Sequence, residues 1–102
     1  MPFERVCTLA ELPANSVLEA IVRDEAYAIC NVNGAITALN GVCPHAGGPL
    51  GQGQITLEGR LICPFHMWEF DCATGQSAFI SSIATPTYAV KVEGGEVLAD
   101  LP

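Results

Sequence analysis

Glycine-ending dipeptides punctuate this chain at Asn33-Gly34, Glu58-Gly59, Thr74-Gly75 and Gly94-Gly95. Short runs rich in β-branched and aromatic residues flank them, a rhythm that favours tight antiparallel hairpins and leaves no room for a long helix. The expected strands are 16–23 (SVLEAIVR), 26–32 (AYAICNV), 35–39, 54–57, 60–63, 68–71, 87–93 (TYAVKVE) and 96–100, and residues 4–12 offer space for a first strand. The pattern predicts an all-β sandwich or barrel, without repeats or linkers.

With 102 residues, half of them hydrophobic and 15% charged, the chain suits a single domain over 1–102 that can bury a core. The acidic excess, 11 Asp and Glu against 4 Lys and Arg, argues against nucleic acid and anionic membrane surfaces as partners. No basic region leads into an apolar run at the N-terminus, so no signal peptide is expected. No stretch reaches the roughly 18–20 apolar residues that span a bilayer. A soluble, cytoplasmic, monomeric protein is expected, in which five cysteines serve a metal or lie buried.

Two segments break the strand rhythm. Residues 40–53 (NGVCPHAGGPLGQG) hold five of the ten glycines and two prolines, and residues 63–71 (CPFHMWEFD) follow directly on a strand. Core strands exclude such clusters, so these are loops with a task that needs irregular backbone. The first carries Cys43-Pro44-His45 and the second Cys63-Pro64-Phe65-His66, with seventeen residues, 46 to 62, between the motifs. Both histidines of the chain are there, each within three residues of a cysteine. Thiolate with imidazole suits zinc or the iron of an iron–sulfur cluster. Zinc sites with two cysteines and two histidines usually pair like with like, whereas here each loop offers one of each. A binuclear centre accounts for that, because each loop then supplies one ligand to each iron.

On Cys43, His45, Cys63 and His66 at this C-x-H…C-x-x-H spacing, the sequence resembles the Rieske ferredoxin family. The likeness extends through the first-loop glycines, the aromatic run after His66, the Pro86 region and the hairpin YAVKVEGGEV, from about Ser16 to Leu101. It implies a β-sandwich with a small cluster-binding subdomain formed by loops at about 40–53 and 63–71. It implies one [2Fe–2S] cluster, with Cys43 and Cys63 on one iron and His45 and His66 on the other. It implies a one-electron carrier without substrate turnover of its own, docking transiently with a flavin-containing NAD(P)H reductase and a terminal non-haem-iron oxygenase. Two alternatives stand beside it: a small subunit of a larger reductase such as nitrite reductase, and a structural zinc domain.

The chain departs from the cytochrome bc branch of that family. The places of that branch's bridging cysteines match Gly48 and Phe65, so no disulfide can cover the cluster. Met67, Trp68, Glu69 and Phe70 after His66 offer no hydroxyl to the cluster. Fewer hydrogen bonds to sulfur stabilise the reduced state less, which predicts a potential at the low end of the class, roughly −150 mV. With neutral imidazoles the oxidised cluster carries no net charge, so reduction is easier than in an all-cysteine cluster.

Other residues have plainer expectations. Cys7, Cys30 and Cys72 read as buried small apolar residues, with a cluster contact of Cys72 as the lesser alternative. Gly47 and Gly48 permit turns and free backbone N–H groups to face sulfur. Trp68 is expected in the core beneath the second loop. Pro44, Ala46, Phe65 and Met67 give the tip an apolar rim that docks a partner or excludes water. Residues 81–86 resemble the family's third, shielding loop. The acidic surplus is expected to steer the protein towards basic partners.

Overall fold

The computed structural model describes residues 3–44, 47–65, 67–80 and 82–102. Among these described residues ten strands follow one another: β1 (Phe3–Thr8), β2 (Ser16–Val22), β3 (Glu25–Val32), β4 (Ala35–Asn40), β5 (Gln54–Ile55), β6 (Arg60–Ile62), β7 (Glu69–Asp71), β8 (Thr87–Tyr88), β9 (Val90–Glu93) and β10 (Glu96–Asp100). Helical structure among the described residues is limited to single 3-10 turns at Leu9–Glu11 and Leu50–Gln52. The strands form three antiparallel sheets, ordered β1-β10-β9, β2-β3-β4-β8 and β5-β6-β7. Of the all-β sandwich or barrel expected from the turn rhythm, the sandwich is present, with the small third sheet carrying Cys63.

The sheet containing β3 is the middle layer. Tyr27 and Ile29 pack with Cys7, Leu12, Val97 and Ala99 of the first sheet's side. Ala28 and Cys30, one residue out of phase, pack with Leu50, Leu61 and Phe70 on the other side. A strand buried on both faces shows no polar–apolar alternation, which explains the apolar run AYAICNV. Burial of a side chain such as Phe70 or Ile29, both fully enclosed, contributes about 1.5–3 kcal/mol.

Three expectations need correction. The strand expected over 16–23 ends at Val22, because Arg23 and Asp24 take left-handed conformations (φ 51° and 65°) and make a hairpin without glycine. Arg23 is held there by two hydrogen bonds to the Glu4 carboxylate and one to the Pro102 carbonyl. The strand expected over 87–93 is two strands, since β8 pairs with β4 and β9 with β10. The chain changes sheet at Ala89, whose carbonyl accepts from the Asp100 N–H. Trp68 is only partly buried and edges the second core 6.5 Å from Phe70, which fills the core position instead.

Candidate metal centre

Cys43 and Cys63 each lie near the end of a hydrogen-bonded hairpin. In the first, Gly41 and Leu50, then Val42 and Pro49, then Cys43 and Gly48 face each other, and Cys43 N–H donates to Gly48 O at 2.9 Å. Gly47 N–H returns to the Cys43 carbonyl at 2.8 Å, tightening the tip. In the second, β6 and β7 pair through Ile62 and Glu69, and Cys63 N–H donates to Trp68 O at 2.7 Å. Met67 adopts a left-handed conformation (φ 59°), which lets the short loop close. Pro64 and a left-handed residue suit a loop that need not add a strand.

The hairpins touch. A Cβ built on Gly48 would lie 2.8 Å from Phe65 Cγ and 2.9 Å from Cys63 Sγ. Gly48 and Phe65 therefore face one another, and glycine at 48 leaves room for the Cys63 sulfur. Cys43 and Cys63 are both buried, with free thiols that adjoin each other. Burial pushes the Cys63 thiol up, the Phe65 N–H at 3.3 Å draws it back, and the neighbouring Cys43 thiol adds to the rise. Two adjoining buried thiols can both ionise only against compensating positive charge. With a backbone N–H aimed at one sulfur, this donor set fits a thiolate-bound iron.

His45 and His66 lie outside the described residues, as does Ser81 of the expected third loop. Among the described residues no group of three or more His, Cys, Asp and Glu side chains converges. Beyond the two sulfurs, the structure adds two features that the sequence reading missed. The Phe65 N–H is the one backbone hydrogen bond to either site sulfur among the described residues. Phe79 and Ile80 are exposed apolar residues, and Ser77 Oγ accepts from both of their N–H groups. The signal for them was a bare apolar pair between serines, with no alternation to place it in a strand.

Charge is sorted in the same way. No Asp, Glu, Lys or Arg occurs in 41–57, 61–68 or 72–90, the segments that build these loops. The cations Arg5, Arg23, Arg60 and Lys91 each pair with a carboxylate, of Glu96, Glu4, Glu69 and Glu93. Val42, Phe65 and Met67 are about half exposed beside the two motifs. The result is an uncharged, partly apolar tip on an acidic body. Among the described residues no helix is long and apolar enough to cross a membrane.

Buried paired thiols on two touching hairpins over an antiparallel sandwich define a metal-carrying β protein. The Rieske [2Fe–2S] domain family matches residues 3–92, and the chain belongs to that family, whose cofactor is one [2Fe–2S] cluster. It is 31% identical over 97 residues to the 3-phenylpropionate/cinnamic acid dioxygenase ferredoxin subunit of Escherichia coli, covering 94% of this chain and 91% of that one. It is 38% identical over 65 residues to the ferredoxin component of the alkene monooxygenase system of Xanthobacter autotrophicus. That match takes in 64% of this chain and about half, 53%, of the relative. Among solved structures, the Sphingomonas yanoikuyae B1 ferredoxin superimposes with a TM-score of 0.86 at 32% identity, covering 97% of this chain and 98% of that one. A nitrite reductase small subunit (TM-score 0.82, 17% identity) shares the fold alone, covering 97% of this chain and 98% of that one. The chain is thus a Rieske ferredoxin, an electron-carrier component without catalysis of its own.

Proposed function

We propose that this chain passes single electrons from a flavin-containing NAD(P)H reductase to a terminal non-haem-iron oxygenase, as a soluble cytoplasmic monomer. Cys43 and Cys63 hold one iron and His45 and His66 the other, with the whole chain forming one Rieske unit whose cluster loops are 40–53 and 63–71. The observation that carries the ligand assignment is the meeting of the Cys43 and Cys63 thiols where the two hairpins touch. The bound cluster supplies a one-electron store. The chain's own part is to bury the two sulfurs, to donate the Phe65 N–H to Cys63, and to present an uncharged tip. Val42, Phe65 and Met67 give that tip apolar area for a brief encounter, in the manner of small transient interfaces. The acidic body supplies longer-range steering towards basic partners.

The oxygenase reading is preferred because relatives at 31% and 38% identity are ferredoxin components of oxygenase systems. The reductase-subunit reading rests on a likeness of fold at 17% identity. Family membership speaks for the cluster over structural zinc. The test is reconstitution: the holoprotein, an oxygenase-system reductase and an oxygenase are mixed with NADH, and substrate-dependent oxygen uptake is followed. Uptake that requires this chain supports the proposal. A chain reduced by no such reductase, yet copurifying with a large reductase subunit, overturns it.

A further inference from the structure

Two cysteines outside the candidate centre meet in the second core. Cys30 lies on β3 and Cys72 directly follows β7, so they belong to different sheets. Both are buried, at 0% and 2% exposure, they pack in the same core cluster, and neither is in a disulfide. Cys72 also forms part of the wall of a cavity of about 210 Å³, together with Val32, Thr37, Gly59 and Asp71. That space is large enough for a molecule the size of hydrogen peroxide. Thr37 pairs with Cys30 across the β3–β4 ladder. Its buried hydroxyl has no conventional hydrogen-bond partner among the described residues and interacts with the Cys30 sulfur.

We propose that Cys30 and Cys72 are a peroxide-sensitive dithiol that closes to a disulfide between the central sheet and the loop-bearing third sheet. Cys72, on the cavity wall, is the attacking sulfur and Cys30 the resolving one. The Cys72 thiolate attacks one oxygen of hydrogen peroxide, the O–O bond breaks, and the departing hydroxide takes a proton to give water. Cys72 is left as a sulfenic acid. The Cys30 sulfur then attacks Cys72, the S–S bond forms, the S–O bond breaks, and hydroxide leaves with the Cys30 proton as a second water. Two thiols lose two electrons and two protons, and one peroxide is reduced to two waters.

The closed ring runs from residue 30 to residue 72 and encloses both cluster loops. Such a bond restricts the opened chain most where the enclosed loop is long. The oxidised form therefore releases iron to a chelator more slowly than the dithiol form. The inference does not depend on the identity of the electron-transfer partners.

The test titrates the oxidised holoprotein with hydrogen peroxide, while visible absorption follows the cluster. Thiols are then trapped with iodoacetamide under denaturing conditions, and unreduced peptides are mapped by mass spectrometry. The expected product has lost two hydrogen masses and yields a single linked pair of peptides containing Cys30 and Cys72. Cys72 reacts at least about tenfold faster than Cys7, a buried thiol of the other core. Cys30→Ser stops the reaction at a sulfenic acid on Cys72, which dimedone labels. The proposal fails if Cys30 and Cys72 alkylate as fully as Cys7 after the cluster has bleached. It fails equally if the first link to form contains Cys43 or Cys63.

Discussion

Gly53→Ala probes how closely the two cluster loops are coupled. Gly53 caps the 3-10 turn at the end of the first loop, and its N–H donates to Leu50 O at 3.0 Å. A Cβ there would stand 1.9 Å from the carbonyl oxygen of Ile62, the residue before Cys63, and 3.2 Å from Leu50 O. The obstacle is backbone on both sides, so no side-chain rotation relieves it. The strand that delivers Cys63 must retreat by more than an ångström, in a core where Leu50, Leu61 and Phe70 are fully buried. Overpacking of this kind costs about 2–3 kcal/mol. In a domain of this size that lowers Tm by about 10–20 °C. Because the shift falls next to Cys63, iron content per chain should drop together with Tm. Gly94→Ala is the control: its φ is +58° but nothing lies within 4 Å of the new Cβ. It carries only the left-handed penalty of about 1–2 kcal/mol and leaves iron content unchanged. Differential scanning calorimetry and iron analysis of both purified variants give the comparison. A Gly53→Ala protein that melts within about 2 °C of the parent and loads iron fully would refute the reasoning.

Further outcomes follow from the same structure. His45→Ala should bleach or destabilise the cluster chromophore, and a full visible spectrum in that variant removes the ligand assignment. With no hydroxyl in Met67, Trp68, Glu69 and Phe70 after His66, the midpoint potential by protein-film voltammetry should fall at roughly −150 mV, and a value above about +100 mV contradicts the account. Phe65→Ala and Met67→Ala, at the exposed tip, should slow electron delivery to an oxygenase several-fold without changing the cluster spectrum; stopped-flow oxidation reads the rate. Arg23 holds the Glu4 carboxyl below its usual pKa of 4.5 in the folded state. The stability this pair adds is present above that value and is lost as pH falls through the folded pKa. Chemical denaturation from pH 6 to pH 3 should therefore show a shallower acid loss in Glu4→Gln, and identical slopes would contradict the linkage.

Much of the fold was legible because local chemistry marked it. Asn33-Gly34 and Gly94-Gly95 joined strands where the dipeptides said they would, and the proline- and glycine-rich segments became the two loops. The Arg23-Asp24 turn was hidden, because an ion pair to Glu4 and a hydrogen bond to Pro102 hold it rather than glycine. The break at Ala89 was hidden as well, since a change of sheet leaves no mark in an alternating run. Phe70 rather than Trp68 fills the second core, because only the packing of the third sheet decides which ring turns inward. At the site, Cys43 and Cys63 were legible from their spacing. The meeting of Cys30 with Cys72 depends on stacking two sheets and has no signature in their separation.

The central claim is a cluster bound through sulfur on one iron and imidazole on the other. Pulsed EPR of the dithionite-reduced holoprotein tests it directly. The account predicts one paramagnetic [2Fe–2S] centre per chain with hyperfine coupling to two imidazole nitrogens. A reduced centre without nitrogen coupling, or a protein that stays EPR-silent and holds no inorganic sulfide, contradicts it.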